Sequence, residues 1–212
     1  MKIQLYWLLS AALLLLPGKA DAANNKKPFV IPELQEWRGS QGMFTPTATS
    51  RIVYTGKDPS VVRVANQFAD DYALMFGRRM MVVQGRAAAG DFVFSLSSDS
   101  RLGEEGYTMK ITDRVTVTAP KSKGLYWATR TLLQLTEQLG NQALPKGTAR
   151  DYPDYAIRGF MMDCGRKFIP MSMLRDYVKM MAYYKMNTFQ IHLNDNAFKQ
   201  YYNHDWNKTY SA

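Results

Sequence analysis

Between Ile157 and Leu193 the chain runs apolar, amphipathic, apolar, and that order leaves few folds open. "IRGFMMDCG" is a nearly continuous apolar stretch, as in a strand of a parallel sheet covered on both faces. "MSMLRDYVKMMAYYK" has helical spacing, with Leu174, Tyr177, Val178, Met181 and Lys185 along one stripe. "TFQIHL" reads as the next strand. Strand, helix and strand joined by short connections predict a βαβ unit, whose two strands are parallel. Ligand-facing groups of such units sit at the carboxyl ends of the strands. Polar residues fall there both times: Asp163 and Arg166 after the first strand, and His192, Asn194, Asp195 and Asn196 at the end of the second.

The preceding stretch has a different rhythm. "RIVYTG" alternates as a strand, Asp58-Pro59 supplies an N-cap and first helical residue, and Val61, Val64, Ala65, Phe68, Tyr72, Met75 and Phe76 recur near helical spacing up to Gly77. "RMMVVQG" and "DFVFSLS" are strand-like, and "GYTMKIT" and "VTVTAP" face each other across Asp113-Arg114 as a hairpin. "GLYWATRTLLQLTEQLG" is a second amphipathic helix, with Leu125, Ala128, Leu132, Leu135 and Leu139 on one side and Gly140 at its end. Residues 51–140 therefore predict a compact α/β domain. Residues 24–50 read as an extended lead-in, and 141–155, rich in proline, glycine and polar residues, as a linker. The domain carries no metal spacing, glycine-rich phosphate loop or acid pair, so a supporting role is expected of it.

Residues 1–23 predict a secretory signal peptide: Lys2, an apolar core "IQLYWLLSAALLLL", and the small residues "ADAA". The core is short and interrupted for a stable membrane span, so export is expected: periplasmic, cell-surface or secreted. Removing Lys2, Lys19 and Asp21 takes the formal charge from +9 to +8. The positive residues are scattered, which favours a solvated basic surface over a nucleic-acid partner. The single Cys164 cannot form an internal disulfide and reads as a small buried hydrophobe.

The residues from Arg158 to Asn196, "RGFMMDCGRKFIP" and then "MAYYKMNTFQIHLNDN", resemble the start of a glycoside hydrolase family 20 catalytic domain, that of the β-N-acetylhexosaminidases. The family pattern is an Arg-Gly strand, an Asp, an Arg after a small residue, an aromatic and a proline, a helix, and a strand ending His-x-x-Asp-Asp. "EEGYTMKIT" and "GLYWATRTLLQL" are similar to the family's N-terminal accessory domain. The resemblance implies a small α+β accessory domain followed, over 156–212, by the first βαβ portion of a truncated (β/α)₈ TIM barrel. It also implies removal of terminal β-linked N-acetylglucosamine or N-acetylgalactosamine with retention, the substrate's acetamido oxygen attacking the anomeric carbon. No cofactor or metal is implied.

Carried over by position, Arg166 should bind hydroxyls of the terminal sugar, as a planar guanidinium fork suits two neighbouring hydroxyls. A pairing of Arg166 with Asp163 across the loop is the bland alternative, and Asp163 itself reads as structural. Asp195 matches the first Asp of the pair, which belongs to the network supporting the acid/base Glu; its plain alternative is a helix N-cap. His192 matches the family His before the pair, or is a satisfied core histidine. Asn196 stands where many relatives have a second Asp, and Lys167 where they have His or Arg. Aromatics in "FKQYYNHDWNKTY" could stack on a sugar ring or pack the loop.

A (β/α)₈ barrel needs roughly 250 residues, about 55 follow Arg158, and no Asp-Glu dipeptide occurs in the chain. The expectation is an incomplete coding sequence of an enzyme, inert as written. The alternative is a non-catalytic carbohydrate-binding or scaffolding protein.

Overall fold

The structure is a computed structural model, and it describes residues 24–193 apart from Leu139 and Asn141. The expected signal segment 1–23, Asp195, Asn196 and the aromatic tail lie outside the described residues.

The N-terminal unit is a seven-stranded mixed sheet in the order β1 (Glu36–Phe44), β7 (Leu144–Asp151), β5 (Tyr107–Ile111), β6 (Val115–Ala119), β4 (Phe92–Leu96), β2 (Arg51–Tyr54), β3 (Met81–Gln84), and it carries two α-helices. Strand β2 (Arg51–Tyr54) leads into helix α1 (Pro59–Phe76). Asp58 caps this helix by accepting from the Ser60 amide at 2.8 Å, and Gly77, at φ 75°, ends it in the left-handed conformation that glycine adopts without a Cβ penalty. Strand β3 (Met81–Gln84) returns parallel to β2, with β4 (Phe92–Leu96) parallel on the other side. The expected hairpin is present as β5 (Tyr107–Ile111) and β6 (Val115–Ala119), antiparallel, with Ile111 opposite Val115. Helix α2 (Ser122–Gln138) then packs beside α1.

Burial alternates strictly along β6, with Val115, Val117 and Ala119 inside and Thr116 and Thr118 half-exposed, so the sheet has one covered face. Against that face the helices place Phe68, Tyr72, Leu125, Ala128 and Leu132, all fully buried. Phe92 lies at the centre, with Phe44, Phe68 and Tyr72 at ring distances of 5.6 to 6.4 Å.

The lead-in and the linker of the sequence reading are not irregular chain. Residues 24–50 contribute strand β1 (Glu36–Phe44) and residues 141–155 contribute β7 (Leu144–Asp151), which pair antiparallel from Glu36 opposite Arg150 to Phe44 opposite Leu144. Strand β7 also pairs with β5, so it joins the edge strand to the rest of the sheet. Asn25 fastens the entry, its side-chain amide donating to the Ser40 and Gly42 carbonyls at 2.6 and 2.7 Å. The approach is close enough that a Cβ on Gly39 would stand 1.8 Å from the Asn25 carbonyl oxygen. Glycines, a register shift between Gly39 and Met43, and a partner more than a hundred residues away explain why no local periodicity marks β1.

The second unit is the expected βαβ. Strands β8 (Gly159–Asp163) and β9 (Thr188–His192) are parallel, in register from Gly159 opposite Thr188 to Asp163 opposite His192, with helix α3 (Met171–Tyr183) between them. The predicted covering of both strand faces is not found among the described residues: Phe160, Met161 and Ile191 are exposed. Along the predicted helical stripe, Leu174 and Met181 are buried but Val178 is exposed, because α3 packs over only two strands. No helix among the described residues is long and apolar enough to cross a membrane.

Candidate functional site

Side-chain parity decides which face of the β8–β9 pair carries the polar residues. Phe160 and Phe189 are register partners, and Phe160 stacks on Tyr177 of α3 at 5.6 Å and on Phe189 at 6.2 Å. Those side chains face the helix. Asp163 and His192 are each three residues further along, so they project from the opposite face, at the carboxyl ends of their strands.

There Asp163 stands between two partners. One carboxylate oxygen lies 3.2 Å from Nε of Arg166, and the other lies 3.5 Å from Nδ1 of His192. That second oxygen also accepts from the Gly165 amide at 3.1 Å. The Cys164 amide donates to the His192 carbonyl at 2.8 Å, extending the strand pairing to the rim. The Arg166 side chain is largely exposed, while Asp163 and His192 are half-buried.

The structure thus brings together Arg166 and His192 from the sequence-predicted set; Asp195 and Asn196 lie outside the described residues. Asp163, read from sequence as structural, connects the other two. Its position at the strand end was the available signal. Chemically the cluster offers a guanidinium oriented by a carboxylate beside an imidazole, groups suited to gripping hydroxyls or another carboxylate. Among the described residues no group of three His, Cys, Asp or Glu side chains could hold a metal ion.

At the other end of the same strands lies a polar junction with the N-terminal unit. Lys185, just after α3, is buried, and its ammonium contacts Asp151 Oδ2 at 2.8 Å and the Tyr107 hydroxyl at 3.2 Å. Tyr107 donates to the same Asp151 oxygen at 2.7 Å and shares a 2.6 Å hydrogen bond with Thr131, while the Gln35 amide donates to Asp151 Oδ1 at 3.1 Å. Burial pushes the Lys185 ammonium below its ordinary pKa despite the Asp151 carboxylate. Burial, reinforced by Asp151, holds the Tyr107 phenol well above its own.

Next to it the Arg158 guanidinium donates to Glu105 at 2.5 Å, to the Lys185 carbonyl at 2.7 Å and to the Tyr155 carbonyl at 2.7 Å, with the Trp127 ring 5.5 Å away. The Asn187 side-chain amide donates to Glu105 at 3.3 Å, its Oδ1 accepts from the Arg158 backbone N–H at 3.0 Å, and its backbone N–H donates to the Arg158 carbonyl at 2.9 Å. A cleft of about 240 Å³ opens beside this junction, lined among others by Trp127, Asp151, Tyr152, Tyr155, Arg158 and Lys185. None of Asp163, Arg166 and His192 lines it.

Comparison with known proteins places these features in a family. The chain matches "Glycosyl hydrolase family 20, domain 2" over residues 27–152 and "Glycosyl hydrolase family 20, catalytic domain" over residues 155–201. A beta-N-acetylhexosaminidase of Cellulomonas fimi is 32% identical over 156 residues, covering 72% of this chain and 31% of that protein. A beta-hexosaminidase of Akkermansia muciniphila is 45% identical over 76 residues, covering 35% of this chain and 15% of that protein. Among solved structures, a mutant Streptomyces plicatus beta-hexosaminidase in complex with product N-acetylglucosamine superposes with a TM-score of 0.71 at 27% identity, over 84% of this chain and 36% of that one. The chain therefore spans about a third of the length of the Cellulomonas and Streptomyces proteins. With the first family match alone covering more than half of the residues, and the second taking in both parallel strands, this chain belongs to glycosyl hydrolase family 20.

Proposed function

We propose that these residues form the accessory domain and the first βαβ step of an exported β-N-acetylhexosaminidase, which removes terminal β-linked N-acetylglucosamine or N-acetylgalactosamine from glycans or chitooligosaccharides. What supports this most is the Asp163–Arg166–His192 cluster at the carboxyl ends of two parallel strands, within the segment that matches the family's catalytic domain. A relative in the Streptomyces structure holds N-acetylglucosamine, and a Vibrio harveyi relative is named N,N'-diacetylchitobiase, which points to the same sugar class here.

On this reading Arg166 grips two neighbouring hydroxyls of the terminal sugar, with Asp163 fixing the plane of its guanidinium from behind. His192 and Asp195 belong to the polar network around an acid/base glutamate, where a nearby carboxylate raises that glutamate's pKa toward the working pH. The sugar's own acetamido oxygen is the nucleophile, so one protein carboxylate serves first as acid and then as base. Asn196 keeps the network's hydrogen-bonding capacity without a second charge. The catalytic Asp-Glu pair is not among these 212 residues, so a polypeptide of these residues alone turns over nothing.

Hydrolysis of a chromogenic N-acetylglucosaminide by the product of the whole open reading frame containing these residues tests the reading. The expected result is turnover, with Arg166→Ala lowering kcat/KM by about 100-fold through lost charge-assisted hydrogen bonds. An inert full-frame product, or hydrolysis by the 212-residue polypeptide alone, would overturn it.

A further inference from the structure

The β8–β9 pair lacks the usual means of fixing its own register. A two-stranded sheet is marginal in water, and register is well specified only where burial separates one face from the other. The burial here follows no clean two-residue alternation, and large apolar side chains remain exposed on both faces. Yet register is what matters for the cluster at the rim. A one-residue slip of β9 would turn every side chain of that strand to the opposite face and carry His192 away from Asp163.

The constraint lies at the other end. Lys185 adopts φ 59°, in the left-handed region that a lysine enters only when its surroundings hold it there. Its amide donates to the Ala182 carbonyl, its own carbonyl accepts from Arg158, and its ammonium reaches Asp151 and Tyr107. Those last two residues are built into β7 and β5 of the N-terminal sheet, so the contact point is rigid. Shifting β9 by one residue moves Lys185 by roughly 3.3 Å, more than its 2.8 Å contact can follow, and strands two charges in a buried site. An apolar contact of the same area would tolerate sliding, because dispersion and burial are non-directional; a buried ion pair does not.

We propose that Lys185, held by Asp151 and Tyr107, is a positioning residue: it fixes the register of β9 against β8 from the end opposite the site and so sets where His192 stands relative to Asp163 and Arg166. The proposal rests on reading the rim cluster as the sugar site, and it gives the accessory domain a definite task. From Lys185 the effect travels through Met186 and Asn187 and then along β9 to His192.

The test uses the product of the whole open reading frame containing these residues and needs no substrate, so its outcome is separate from that of the hydrolysis assay. Amide exchange of Cys164, whose N–H donates to the His192 carbonyl, and the His192 imidazole resonance both report on the far end. In Lys185→Met the Cys164 amide should exchange about tenfold faster and the His192 resonance should move, while amides of the β5–β6 hairpin keep their protection. Tyr107→Phe, a milder change that removes one partner of both Lys185 and Asp151, should move both readouts in the same direction by less, and it keeps the test decisive if Lys185→Met does not fold. Val117→Ala, buried in the core on β6 opposite Met109 and outside the contacts of Lys185, provides a variant of lowered stability that leaves the clamp intact. Unchanged Cys164 exchange and His192 resonance in the clamp variants, or equal changes in Val117→Ala, would overturn the proposal.

Discussion

The two units of this chain solve the same problem differently. The N-terminal unit encloses its own core: both helices and one whole sheet face contribute to a continuous cluster in which Ile52, Phe68, Phe92, Phe94 and Leu132 are fully buried. Among the described residues the βαβ unit buries Leu174 and Met181 of its large apolar side chains, and leaves Phe160, Met161, Ile191 and Leu193 exposed. Its fixed points are polar and lie at the boundary with the first unit, through Arg158, Lys185 and Asn187. One unit is ordered by the area it buries, the other by directed contacts at one end. The groups proposed to bind sugar stand on the second, so their placement depends on the first.

Core truncation should break this contrast most forcefully. Phe92→Ala removes a ring packed against three others and should destabilise the N-terminal unit by about 3–5 kcal/mol, whereas Phe160→Ala, at a position 39% exposed, should cost only about 1 kcal/mol. Urea unfolding of the two variants checks it, and comparable losses would show that the βαβ unit carries an apolar core of its own.

A smaller effect separates the units by pH. Asp91 sits at the base of β4, where burial pushes its carboxyl up but the Arg51 guanidinium and the Ala88 and Arg51 amides outweigh that, holding its pKa below the usual carboxylate value. A depressed acid contributes stability above its unfolded pKa, and the contribution is lost as pH falls through the folded value. The thermal midpoint of the N-terminal unit should therefore drop as pH falls from about 5 to about 3. Asp91→Asn should lower the midpoint at neutral pH and flatten that drop, as scanning calorimetry at several pH values can show. An equal drop in the variant would assign the acid sensitivity to other carboxylates.

The smallest expected change is at Arg166. Its side chain is 78% exposed and its ion pair with Asp163 is a surface one, so Arg166→Ala should shift stability by no more than about 1 kcal/mol. Set beside the predicted loss in kcat/KM, a small change in the denaturation midpoint would separate a ligand-facing role from a structural one.

Local chemistry was enough to draw much of this fold. The Asp58-Pro59 start and Gly77 stop of α1, the β5–β6 hairpin and the parallel β8–β9 pair all follow from signals within a few residues of each element. Strands β1 and β7 were hidden because their pairing spans the unit, and glycine and a register shift erase the alternation of β1. At the site, residue type and strand-end position pointed to Arg166 and His192, and the pairing of Arg166 with Asp163 was an open alternative that the structure shows, but spacing could not show that Asp163 also meets His192.

Lys185 marks the boundary between the two kinds of knowledge. Its place in the chain aligned it with an apolar helical stripe, and sequence periodicity records only that it falls near the inside. Whether an inward-facing cation meets a carboxylate depends on a strand from a different part of the chain, here β7 with Asp151. The sequence by itself determined the elements, their order and the strand ends where polar groups collect, because caps, turns and periodicity act over short range. Tertiary structure alone decided that the N-terminal sheet would close through β1 and β7 and grip the βαβ unit at Lys185, because directed contacts between distant residues exist only once the chain has brought them together.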